Sequence, residues 1–138
     1  MLIPGVLLAC FVGLTLNMSF AGYVAQPDWS AAILLATLLS NRKAWYWVLP
    51  SIWFHDIVLF WSGWIVFPYF VFIAIVLFYA DERLGPGQPQ RWFGLVFGCI
   101  PLVIAGVSFV SCLLTALCAI WLWSLFSSSK DKVYVEPA

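Results

Sequence analysis

Ala44-Trp-Tyr-Trp-Val-Leu-Pro-Ser-Ile-Trp-Phe-His55-Asp56-Ile-Val-Leu-Phe-Trp-Ser62 is the stretch that decides how this chain folds. As a helix it rises about 28 Å, close to the roughly 30 Å hydrocarbon core of a bilayer. In the middle of this apolar run sit a histidine and a carboxylate. A carboxylate at a helix centre costs about 2.5–3.5 kcal/mol on insertion. Asp56 is therefore expected to point inward, at a partner, a cavity or a neighbouring subunit. At about 100° per residue, Ser51, His55 and Ser62 share one face, with Asp56 and Gly63 at its edge. Tyr46, Trp53, Ile57 and Trp64 lie roughly opposite. The stretch predicts a helix with a narrow polar stripe towards protein and a broad aromatic back towards lipid.

The rest of the composition agrees with that reading. The 138 residues are 64% hydrophobic and 9% charged, whereas a soluble domain carries about 25% charged residues. Six basic and six acidic side chains cannot cover a globule of this size, so the expected solvent is lipid. Nine Trp and five Tyr suit aromatic belts at two interfaces. Formal net charge is zero, which points away from nucleic acid. Cys10, Cys99, Cys112 and Cys118 each lie in an apolar run without metal-ligand spacing. They read as small packing residues, not as a disulfide framework or metal site. The first apolar stretch has no basic residues ahead of it and reads as a retained helix, not as a signal peptide.

Apolar segments are expected at 2–24, 29–40, 44–62 and 64–80. Asp28, after Pro27, suits a helix start because its charge complements the dipole. The stretch 81–91 reads as a long polar loop from its Gly and Pro content. The run 92–126 would be about 52 Å as one helix, so two spans, 92–105 and 108–126, are expected, with Pro101 and Gly106 as break points. The tail 127–138 is polar. The fold class is an all-α integral membrane bundle of six short transmembrane helices, alternatively five, in a single domain. Six spans place Arg42–Lys43, Arg83 with Arg91, and Lys130 with Lys132 on one side, a positive-inside pattern with both termini cytoplasmic.

Small residues mark where helices are expected to approach closely. Gly5, Ala9, Gly13, Asn17 and Ala21 recur every four residues in the first helix. Gly94 and Gly98 repeat the device, and Ser108, Cys112, Thr115 and Ala119 form a third small face. Asn17 is placed to hydrogen-bond across the first stripe. These faces serve packing inside the bundle or docking of another subunit.

The chemistry-bearing candidates are Asp56 and His55, with Asn17, Ser51 and Ser62 nearby in pattern. Three roles stay open: a structural bond that fixes the bundle, proton or cation movement, and contact with a partner or ligand. No nucleophile–base pattern, phosphate loop or metal-ligand spacing is present. Neither catalysis nor a cofactor is expected.

Pro27-Asp28-Trp29 before an apolar run, the turn Asn41-Arg42-Lys43, and Ile52-Trp-Phe-His-Asp56-Ile-Val about thirty residues after Pro27 together resemble MreD, the rod shape-determining inner-membrane family. The resemblance covers roughly residues 26–83. It implies a bacterial inner-membrane scaffold that joins MreC-like and other membrane subunits of the peptidoglycan-elongation machinery. That family's fold is similar to the substrate-binding subunits of energy-coupling-factor transporters. This likeness supplies the alternative of a small-molecule or ion-binding subunit. An accessory subunit of a larger membrane complex is a further alternative.

Overall fold

The computed structural model describes residues 3–20, 26–85 and 87–133. Among them the chain is all-helical and has no strand. The helices are α1 (Ile3–Ser19), α2 (Trp29–Ser40), α3 (Trp45–Phe60), α4 (Phe67–Leu84), α5 (Gln88–Ile104) and α6 (Phe109–Val133), with a 3-10 turn at Arg42–Ala44. One stretch, Phe109–Ser127, is long and apolar enough to cross a bilayer; α1 and α2 are shorter apolar helices. The first five helices have 12 to 18 residues and rise about 18–27 Å.

α2 is the axis of the bundle. It packs against α1, α3, α5 and α6, and nine of its 12 residues are buried. A helix this short is marginal alone in water, so its neighbours stabilise it. Leu34, Leu35, Leu38 and Leu39 are at most 2% exposed. α5 reaches α2 through its glycines: a Cβ at Gly94 would lie 2.9 Å from Leu39 Cδ2, and one at Gly98 3.0 Å from Leu35 Cδ2.

α1 corrects the expected stripe. Of Gly5, Ala9 and Gly13, only Gly13 is buried. A Cβ there would meet Trp29 Cβ at 2.7 Å, whereas one at Gly5 would meet nothing within 4 Å. Each four-residue step turns the helix 40° too far, so Gly5 and Gly13 sit about 80° apart. The packed face instead runs through Val6, Cys10, Gly13, Leu14 and Asn17, all buried or half-buried. Ala21 lies outside the described residues.

The expected loop 81–91 is also corrected. α4 continues to Leu84, α5 starts at Gln88, and only Gly85-Pro86-Gly87 separates them. The stretch 92–126 forms two helices. α5 runs through Pro101 and stops at Ala105, where Gly106 takes φ +90°. The Gly106 N–H donates to Val103 O (3.1 Å) and the Val107 N–H to Leu102 O (3.0 Å), the paired bonds of a Schellman C-terminus. Ser108 then opens α6 by accepting the Ser111 N–H on Oγ at 3.3 Å. α6 extends to Val133, into the expected tail.

Candidate functional site

α2 and α3 form an antiparallel pair around the turn at Arg42–Ala44. That geometry brings Asp28, at the start of α2, level with the last turns of α3. His55 Nε2 lies 2.8 Å from Asp28 Oδ2 and 3.0 Å from Oδ1. His55 Nδ1 lies 3.1 Å from Asp56 Oδ1. His55 and Asp56 are fully buried and Asp28 is 7% exposed. Both ring nitrogens face carboxylate oxygens, so only the doubly protonated ring donates to both.

Each carboxylate also closes a helix start. Asp28 is the N-cap of α2 and accepts the Ala31 N–H on Oδ1 at 3.3 Å. Asp56 Oδ2 accepts the N–H groups of Ile65 (3.2 Å), Val66 (2.7 Å) and Phe67 (2.8 Å). The Val66 and Phe67 N–H groups are orphan donors at the start of α4, whose own N-cap, Val66, has no side-chain acceptor to offer, and Ile65 immediately precedes that cap. All four carboxylate oxygens therefore accept at least one hydrogen bond. Two carboxylates and one imidazolium sum to one negative charge. Two helix N-termini, each equivalent to roughly half a positive charge, offset it.

The same end of the bundle gathers α6 and α1. The Asp28 N–H donates to Thr115 Oγ1 at 2.9 Å, and Thr115 Oγ1 donates to Ser111 O at 2.7 Å. Asn17 Nδ2 donates to Pro27 O at 2.8 Å, and Asn17 Oδ1 accepts the Trp29 N–H at 3.2 Å. Asn17 thus ties α1 to the entry of α2 and makes no bond to His55 or Asp56. Ser51 donates to Trp47 O within α3 at 2.7 Å. Ser62 accepts the Trp64 N–H at 3.3 Å, outside the network.

A second polar cluster closes the opposite end of α2. Arg91 Nη1 lies 2.6 and 2.8 Å from the oxygens of buried Asp81, and its Nε donates to Leu39 O at 3.1 Å. Asp28 and Asp81 are thus buried carboxylates beside Asp56. Within the stretch read from the sequence as a polar loop, Asp81 is 5% exposed, and Arg83 lies over the Tyr79 ring at 4.9 Å.

Sequence reasoning took Asp28 for a helix start alone and overlooked the Arg91–Asp81 pair. The spacing that reveals the first is simple: Asp28 and Asp56 lie equally far on either side of Arg42, in the turn. The four cysteines are free, with Cys10 and Cys112 buried. Comparison with protein-family models, curated proteins and solved structures finds no match to this chain.

Proposed function

We propose that this chain is a multi-pass integral protein of the bacterial inner membrane, a non-enzymatic scaffold subunit of the MreD type that holds other membrane subunits of the cell-shape and peptidoglycan-elongation machinery. The observation that carries the scaffold reading is the way Asp28, His55 and Asp56 are used. Their hydrogen-bonding capacity goes into joining α2, α3 and α4, not into presenting a free acid, base or nucleophile.

The membrane reading is supported by an outer surface that water does not favour. Leu8, Phe11, Ile75, Val96, Leu117 and Trp121 are each more than 60% exposed, on four different helices. Exposed apolar surface spread this widely suits lipid or partner helices. Five helices shorter than an average span suit a locally thinned bilayer or flanking subunits. The resemblance adds the layout from Pro27-Asp28 to Asp56, in which His55 links the two acids.

Affinity purification of the tagged chain in mild detergent tests the proposal. Recovery of MreC-like or wall-synthesis proteins is expected. Recovery of the chain with none of them would count against the scaffold function, and extraction by carbonate without detergent would count against the membrane reading.

A further inference from the structure

We infer that a groove on the outer face of α3 seats one acyl chain of an anionic phospholipid, with the lipid phosphate against Lys43; this rests on the membrane reading above. The groove is lined by Trp45, Tyr46, Leu49, Pro50, Trp53 and Phe67 and holds about 380 Å³. Trp45, Leu49 and Trp53 follow one i, i+4 row, and Tyr46 and Pro50 the next, so the groove runs along the helix. Phe67, from the start of α4, adds a wall from the neighbouring helix.

Trp45 and Trp53 are eight residues apart, about 12 Å along the axis. The lining is apolar over that length and opens outward, on the face that meets lipid in the membrane reading, so an extended hydrocarbon chain lying along α3 is its occupant.

Charge selects the kind of lipid. Lys43 is exposed and lies in the 3-10 turn two residues before Trp45, so it stands at that end of the groove. Trp45 and Tyr46 are 45% and 59% exposed there, and amphipathic rings of this kind favour headgroup level. A lysine whose stem follows apolar surface and whose ammonium reaches the interface meets a phosphate. A basic residue at an anionic surface changes binding about fivefold.

The test is native mass spectrometry of the full chain released from nanodiscs of equal phosphatidylglycerol and phosphatidylcholine. The wild type should retain phosphatidylglycerol in preference. Lys43→Gln, an exposed change that leaves the fold intact, should cut that preference about fivefold while lipid is still carried. Leu49→Trp, which fills the groove, should lose the retained lipid of both kinds. Equal retention of the two lipids by the wild type, or an unchanged preference in Lys43→Gln, overturns the inference. So does a dimer without lipid that Leu49→Trp disrupts, because the groove would then belong to a second copy. Detergent phase separation keeps the two readings apart: a chain in the aqueous phase fails the membrane reading, and one in the detergent phase without lipid preference fails the lipid site alone.

Discussion

His55 is placed where a single proton-rich ring answers two carboxylates that are each already committed to a helix start. Removing one partner of a buried ion pair costs about 3–5 kcal/mol, because the other charge stays behind. Asp56→Asn keeps an oxygen for the N–H groups of Ile65, Val66 and Phe67 but turns an amide N–H₂ towards the donor on His55 Nδ1. Chemical unfolding in mild detergent should show a loss of that order. The double variant Asp28→Asn, Asp56→Asn should fall short of the summed single losses by about 0.5–3 kcal/mol, since both residues hold the same ring. Strict additivity would show that the two acids act separately. This network was half legible in the sequence. An acid and a histidine inside an apolar run demand an inward partner, and that much follows from desolvation alone. The partner itself needed one more step, the symmetry of a hairpin about its turn. Asp28 was passed over because N-capping already explained it, and one role hid the other.

At the level of helices, close approach depends on which glycine faces a neighbour, not on how many the helix contains. Gly13 lies against Trp29 Cβ, an atom fixed to the α2 backbone. Gly13→Ala should therefore destabilise by about 1–3 kcal/mol through overpacking. Gly5 faces open space, and Gly5→Ala should be neutral or stabilising by up to about 1 kcal/mol, because alanine is the better helix former. Unfolding midpoints of the two variants, measured side by side, check the pair; equal losses would mean that α1 does not pack as described. The spacing by fours suggested one stripe because residue type was read without the 40° drift of each step. The long polar loop was misread for a related reason: Gly and Pro were summed over 81–91, whereas α4 continues to Leu84 and α5 begins at Gln88. Asp81 and Arg91 face each other across that break, and their pairing made helix ends out of apparent loop. By contrast, the division of 92–126 was readable, because Gly106 has the freedom in φ that a helix C-terminus of this kind uses.

Taken as a whole, the molecule sorts its polar groups by end. The Asp28–His55–Asp56 network, Asn17 and the α3–α4 connection share one end. The turn with Lys43, the Asp81–Arg91 pair and the α4–α5 connection share the other. α2 runs between them, capped by Asp28 at its start and by Arg91 on its Leu39 carbonyl at its finish. With six helices running alternately, all six Lys and Arg positions fall towards the second end, and the membrane proposal, by the positive-inside rule, assigns that end to the cytoplasm. Substituted-cysteine labelling tests this arrangement. Trp64 is 73% exposed in the α3–α4 connection, and Glu82 is exposed in the last turn of α4. In intact spheroplasts, a membrane-impermeant maleimide should label Trp64→Cys directly and Glu82→Cys only after permeabilisation. The unsubstituted chain is the control for its own four cysteines, which are buried or half-buried in apolar helices. Labelling of both positions from the same side would break the alternation of α4. The single-ended basic pattern, and with it the cytoplasmic side proposed for the end that carries Lys43, would then no longer follow.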